Sequence, residues 1–319
     1  MQQKLDSIQV EVLKDPTLDV KENYINILKK VDSVQATYEA AAKGKYIYPF
    51  VEANARTNPK EIFTSINAYI DNIKITYFDG LDFANEVLVN SSFLTSRILD
   101  YVFYINFSED EKEQQNLYKL SIETILAKIK NVSYKRDIIQ FLIEQFEESK
   151  NLAIIDYLFE KQYNKLPIAI QDVKFKEEKL ALFATSIGRI APDFAWQENG
   201  RNLKLSTLND AETYVLVFWS TGCSHCLREI PELHTYMKTK PNTKVIAFAL
   251  ENDAFVWETY KKKNLNGWHN VLGLNKWENK TARTYQVYAT PTYIILDKNK
   301  KIIAKPNEMK EVNEFFDKL

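Results

Sequence analysis

The chain has 319 residues, 45% of them hydrophobic and 27% charged, and its formal net charge of −1 provides no basic field for nucleic acid or for an anionic membrane surface. No run of about 18 apolar residues offers a bilayer span, and two cysteines exclude a disulfide-dense scaffold. A chain of this length accommodates two domains.

In chain order, the opening "MQQKLDSIQVEVLKDPTLDV" has neither the charged n-region nor the apolar h-region of a signal peptide. The first part then carries helical periodicity. Ile62, Phe63, Ile66, Tyr69, Ile70 and Ile73 form one stripe at 3.6 spacing, and Asn58-Pro59-Lys60-Glu61 reads as its N-terminus, with a cap, a proline at N1 and an acid at N3. Ser108 with Glu111 is a second capping candidate, ahead of Leu120, Ile122, Ile125, Leu126, Ile129 and Val132. Two further helical stripes follow, at Ile138, Leu142, Ile143, Phe146 and at Leu152, Ile155, Leu158, Phe159. The aromatic run "YVFYINF", Tyr101 to Phe107, reads as packing between helices rather than as a ligand groove. Residues 1–186 are therefore expected to form an all-α domain without a repeat of fixed period.

After Pro192 the pattern changes. "TYVLVFWS" (Thr213 to Ser220) and "KVIAFAL" (Lys244 to Leu250) read as buried strands. "TYIILD" (Thr292 to Asp297) and "KKIIAK" (Lys300 to Lys305) flank an Asp-Lys-Asn turn as a hairpin. Helical segments are predicted near 223–240, 253–263, 278–285 and 307–319. Strands alternating with helices and closing in a hairpin predict an α/β domain with one mixed sheet over 187–319. All five Trp, all three His and both Cys lie after residue 190, so the side chains suited to redox or metal chemistry belong to this part.

The cysteines stand together in "FWSTGCSHC", Phe218 to Cys226. As a staple they achieve little: closing so short a loop is worth about 2 kcal/mol, against about 3 for fifteen residues. As a metal site they fall short of four ligands, because only His225 lies close by while His234 and His269 form no second paired motif. Leu227, not His, follows Cys226, which excludes the haem-attachment motif. A redox pair explains the placement. Cys223 stands where a strand ends and a helix begins, and there unpaired N–H groups and the helix dipole stabilise a thiolate. Cys226, one turn later, is placed to attack and close the ring. His225 is expected to lend a donor or positive charge beside that thiolate; the alternative is a solvated polar residue in a tight turn.

These features together resemble the thioredoxin superfamily, and within it the TlpA/ResA-like thiol–disulfide oxidoreductases of bacterial envelopes. Four landmarks carry the resemblance, in order: "APDF" (Ala191 to Phe194), "FWSTGCSHC", Pro231 in the active-site helix, and "ATPTYIILD" (Ala289 to Asp297). The resemblance implies a thioredoxin-like fold, a redox-active disulfide with no other cofactor and no metal, and a cis bond at Thr290-Pro291. It also implies Cys223 as the attacking thiolate and Cys226 as the resolving thiol. Thr290, Pro291, Gly222 and Trp219 would shape the substrate side, with Trp219 packing beneath it; Trp257, Trp268 and Trp277 read as packing. The partners implied are client proteins with disulfides and a membrane-embedded electron donor. A periplasmic or cell-envelope location follows, with a signal segment upstream of the sequence.

Two positions depart from thioredoxin itself: Val217 replaces its buried proton-accepting Asp, and Gly222 replaces the Trp before the first cysteine. "CSHCLREIP" matches the C-x-x-C-x-x-E-x-P pattern of the envelope reductases, and Glu229 is expected to have a raised pKa and to exchange protons with the sulfurs. A solvated helix glutamate is the plainer alternative. Three other functions stay open at this point. A disulfide oxidase or isomerase fits the His225 dipeptide. A peroxidase fits "APDF" and Ser220, but Leu216 stands where its motif has proline. A partner-binding protein led by the helical domain is the third, since "YFDGLDFANEVLVNSSFLTSRILDYV" (Tyr77 to Val102) loosely resembles domains attached to TlpA-like modules in Bacteroidetes envelope proteins.

Overall fold

The computed structural model describes residues 1–318. The chain divides into two compact units, Met1–Gln171 and Asp172–Leu319.

The first unit is helical: α1 (Gln2–Lys14), α2 (Lys21–Ala42), α3 (Tyr48–Ala53), α4 (Ile66–Thr76), α5 (Glu86–Val89), α6 (Ser92–Asp100), α7 (Glu111–Lys128), α8 (Val132–Glu148) and α9 (Leu152–Tyr157). The stripes on α7 to α9 do what their spacing requires, burying Ile122, Ile125, Ile138, Leu142, Phe146 and Ile155. Tyr101–Ile105 continues α6 as a π-helical turn. Two expected helix starts are corrected. The segment around Pro59 is not helical, and α4 begins at Ile66 with Ser65 as its cap. Upstream backbone is held instead by side chains of α1 and α2: Gln9 bonds both the N–H and the carbonyl of Phe63, and the Tyr24 hydroxyl donates to the Pro59 carbonyl. These bonds satisfy groups that a helix would otherwise pair. The cap of α7 is Asp110, whose carboxylate accepts the Glu113 N–H at 2.7 Å, while Ser108 bonds the Glu113 side chain.

The second unit begins with α10 (Val173–Ala184) and a two-stranded antiparallel hairpin, β1 (Ala195–Glu198) and β2 (Arg201–Lys204). Then come β3 (Thr213–Trp219), α11 (Ser224–Met237), β4 (Thr243–Glu251), α12 (Phe255–Asn264), β5 (His269–Leu274), α13 (Lys280–Thr284), β6 (Thr292–Asp297), β7 (Ile302–Ala304) and α14 (Met309–Asp317). The five-stranded sheet has the order β5-β4-β3-β6-β7. β3, β4 and β5 run parallel, and β6 and β7 run antiparallel to their neighbours, so the sheet is mixed and the domain thioredoxin-like. Between β6 and β7 the Asp297 carboxylate accepts the N–H groups of Asn299 and Lys301, which fixes the turn.

β3 is a continuous apolar run because both faces of the sheet are covered. Leu216 and Phe218 join Phe194, Phe248, Tyr285 and Ile294 in one core. Val215, Val217 and Trp219 join Cys226, Ile230, Ala249, Tyr293 and Val312 in the other. The period of two thus assigns odd positions of β3 to the face that carries α11. β1, β2 and β5 were not legible in advance. The first two are four residues long and mostly exposed, and β5 contains Asn270 and Gly273, which weaken a strand pattern.

Gly273 has a packing reason. A Cβ there would lie 2.3 Å from the Phe248 ring and 3.1 Å from the Ala249 carbonyl. Gly273→Ala is therefore expected to destabilise the second unit by about 1–3 kcal/mol, as overpacking does, read as a lowered midpoint in chemical unfolding followed by tryptophan emission.

Candidate active site

The topology collects the site at one end of the sheet. The segments after β3, β4 and β5 leave at the same end, and β6 enters there, because Phe218 is paired with Thr292 and Trp219 with Ala249. Ser220 to Cys223, Asn252 to Val256, Asn275 to Trp277 and Tyr288 to Pro291 therefore share one rim.

Cys223 is the N-cap of α11, in extended backbone (φ −103°, ψ 112°), and its sulfur accepts the Cys226 N–H at 3.2 Å. The chain reaches this position through a tight turn. Ser220 is buried; its carbonyl accepts the Cys223 N–H, and its hydroxyl accepts the Gly222 N–H at 3.2 Å. The Thr221 N–H goes to the buried carboxylate of Glu251 at 2.6 Å. Every backbone N–H of the turn from Thr221 to Cys223 is thus engaged, so the loop presents the cysteine from a fixed frame.

Both cysteines are free thiols with unlike surroundings. Cys223 is partly exposed and lines a cleft of about 110 Å³ with Ser220, Gly222, Leu250, Lys276, Trp277 and Thr290. Burial pushes its pKa up, but hydrogen bonds from the side chains of Cys226 and Thr290 and from the backbone N–H groups of Cys226 and His225 outweigh burial and hold it below the ordinary thiol value. Cys226 is fully buried, and burial, reinforced by the neighbouring Cys223, pushes its pKa up to about 12. The surroundings thus favour the thiolate at Cys223 and the thiol at Cys226. The Thr290-Pro291 bond is cis, and the Thr290 carbonyl receives the Cys223 S–H at 3.3 Å. That contact serves the thiol form; the Cys226 N–H serves the thiolate.

Glu229 is not the solvated glutamate of the plainer reading. It is buried on the α11 face that also buries Cys226. Its Oε2 accepts the Tyr293 hydroxyl at 2.6 Å, and its Oε1 lies 2.5 Å from His225 Nε2. Among the described residues, no hydrogen bond joins this carboxylate to either sulfur. The His225 ring is turned to Glu229, and the donor that His225 supplies to Cys223 is its backbone N–H. The cause is helical spacing: positions four apart share a face, and only the backbone N–H of His225 acts on Cys223. Trp219 lies beneath the site. Its indole is 0% exposed, packed on Tyr260 at 5.2 Å between centroids, and forms the floor under Cys226.

Three members of the site were missed from sequence. Tyr293 sits opposite Val217 in the β3–β6 register, and its odd position on a period-two strand was the available signal. Glu251 ends β4 one residue beyond the apolar run. Trp277, read as packing, is 46% exposed beside the cleft, after a left-handed Asn275 (φ 70°). Among the described residues no group of three or more His, Cys, Asp or Glu is arranged to hold a metal ion, and no helix is long and apolar enough to cross a membrane.

Residues 187–319 match the Redoxin family model. Among solved structures, similar chains include the C-terminal domain of a putative thiol-disulfide oxidoreductase from Bacteroides thetaiotaomicron (21% identity, covering 42% of this chain and 95% of that one, TM-score 0.38). Others are a domain of a possible thiol-disulfide isomerase from Cytophaga hutchinsonii (29%, 42% and 92%, TM-score 0.37) and a thiol-disulfide oxidoreductase from Bacteroides fragilis (26%, 41% and 100%, TM-score 0.36). No curated protein matches the chain. The Redoxin match and the C-x-x-C pair on this fold define a thioredoxin-superfamily thiol–disulfide oxidoreductase domain, joined to an N-terminal helical region. The activity is that of a protein-disulfide oxidoreductase.

The two pKa shifts set the pH response. Folding lowers the Cys223 pKa, so its contribution to stability is present above the ordinary thiol pKa and is lost as pH falls through the folded value. Folding raises that of Cys226, so its contribution is full below the ordinary value and is lost as pH rises toward about 12. Iodoacetamide is therefore expected to alkylate Cys223 with a pH midpoint lower than that of a cysteine in a short control peptide and to leave Cys226 unmodified across the same range, read by mass spectrometry of the peptide that holds both.

Proposed function

We propose that the protein is a TlpA/ResA-like dithiol reductase of the cell envelope that reduces disulfides of client proteins through Cys223 and Cys226. The observation that carries this reading is the contrast between the two thiols: a partly exposed one at a helix N-terminus and a buried, protonated one a turn later, with a buried carboxylate on the same face. In this reading the Cys223 thiolate attacks a client disulfide, forming a mixed disulfide and releasing one client thiol. Cys226 then loses its proton and attacks Cys223, closing the protein disulfide and releasing the second client thiol. Two electrons pass to the client. A membrane-embedded donor restores the dithiol, and periplasmic exposure follows from the need for disulfide-bearing clients. Glu229 exchanges protons with Cys226, while Thr290, Pro291 and Gly222 border the approach of the client. We place the start of the redox module at residue 187, where the Redoxin match begins, and assign residues 1–186 to a helical domain for partner contact.

A polypeptide client suits the rim. Trp277 lines the cleft beside Cys223, and Leu227, Phe255, Val256, Leu274 and the 83%-exposed Tyr288 are large apolar side chains left open on the segments at this end of the sheet, as befits a surface that covers itself with an extended apolar segment. An oxidase or isomerase is supported by one observation, the lowered Cys223 pKa, since a stabilised thiolate makes the disulfide more oxidising. The His225 ring, however, is committed to Glu229 and does not add to that effect.

The reduction potential of the pair, measured in glutathione buffers by tryptophan emission, decides between them. A reductase is expected near about −270 mV, whereas a value between about −180 and −120 mV overturns this direction. Cys226→Ser is expected to accumulate a client mixed disulfide on Cys223, visible on non-reducing gels and released by dithiothreitol. Glu229→Gln is expected to slow turnover by about 10²-fold, the low end of general acid–base contributions, and an unchanged rate would remove Glu229 from the mechanism.

A further inference from the structure

Glu229 is held from two sides by groups of opposite exposure. Tyr293, 0% exposed on β6, donates its hydroxyl to Oε2 at 2.6 Å. His225, with 53% of its side chain exposed, meets Oε1 at 2.5 Å. The three form one hydrogen-bonded chain that runs from the solvent to the buried face of α11 shared by Glu229 and Cys226, and the proton has to cross the gap from that carboxylate to the sulfur. A buried thiol that must lose and regain a proton in each cycle needs such a route, because water does not reach it. The other ionisable groups around this chain are Cys223 and Glu232 on α11, and Tyr260 on α12, which responds to charge on Cys226. The remaining neighbours on α14 and β6, including Val312, Phe316 and Ile295, are apolar.

We infer that His225, Glu229 and Tyr293 form a proton relay dedicated to Cys226, in which His225 is the solvent port and Tyr293 the positioning residue. The inference rests on Cys226 as the resolving thiol. In the resolving step the Cys226 S–H proton passes to the Glu229 carboxylate and on through the imidazole to water. The sulfur attacks Cys223, the Cys223–client S–S bond breaks, and the client leaves as a thiolate that takes a proton from solvent. Reduction of the protein disulfide runs the same route inward. Tyr293 keeps its own proton throughout; burial first, and then the adjacent carboxylate, hold its pKa far above the ordinary phenol value. Its hydrogen bond fixes the rotamer that brings Oε1 to the histidine.

Ellman's reagent reports the two thiols separately, since each releases one nitrothiobenzoate: the first on attack by Cys223, the second on intramolecular attack by Cys226. For the reduced full-length protein, the second release is expected to vary with pH less steeply than tenfold per unit between pH 6 and 8. In His225→Asn it is expected to be slowed about tenfold at pH 6 and to rise close to tenfold per unit, as when solvent hydroxide must take the proton. Tyr293→Phe, which keeps the buried ring, is expected to move the second release in the same direction by a smaller factor. The pH midpoint of the first release stays in place in both. A first release shifted by His225→Asn with the second unchanged overturns the relay and returns the imidazole to Cys223. Two unaffected releases overturn it outright. A wild-type protein with a first release but no second one overturns instead the role of Cys226, and with it the reading on which the relay stands.

Discussion

The hydrogen bond from the Cys226 N–H to the Cys223 sulfur is where the fold and the chemistry meet. It is a helix cap, and it is also the contact that favours the thiolate over the thiol. An N-cap side chain accepts a backbone N–H that the helix cannot satisfy internally, so α11 starts at the reactive atom. The capping bond requires the helix to begin one residue after β3's turn, and that turn is held by Ser220 and by the carboxylate of Glu251. Moving the helix start by one residue would remove the donor and leave an ordinary cysteine in a loop.

The second constraint is burial of unlike groups on one helix face. Cys226, Glu229, Ile230 and Leu233 all point into the core, although one of them is a carboxylate. A buried carboxylate has to be paired or hydrogen-bonded, and Tyr293 and His225 meet that demand. Val217, at the β3 position where thioredoxin has its aspartate, is fully buried and apolar. The buried carboxylate of this core stands on the helix. Its hydrogen-bond partner, Tyr293, comes from the strand directly across from Val217.

Much of this was legible because it depends on local pattern. Strand–helix alternation, the central apolar strands and the cysteine placement at a strand-to-helix junction follow from spacing and residue type alone. The short strands β1, β2 and β5 were not legible, since their pairing partners rather than their own composition make them strands. The start of α4 was misjudged for a similar reason: the Pro59 signal is correct locally, but Gln9 and Tyr24 from distant helices take the backbone bonds. At the site, the positions of Cys223, Cys226 and Pro291 could be read in advance, while the partners of His225 and Glu229 could not.

The sequence by itself determined a helical part followed by an α/β part, a redox-suited pair of cysteines, and a glutamate one turn beyond them. Those are properties of neighbours along the chain, where period and spacing act directly. Tertiary structure alone decided which thiol is buried, that the imidazole bonds Glu229, that Trp277 is rim, and that Tyr293 and Glu251 belong to the site. Each of these depends on register between strands far apart in sequence or on exclusion of water, and neither is encoded at any single position.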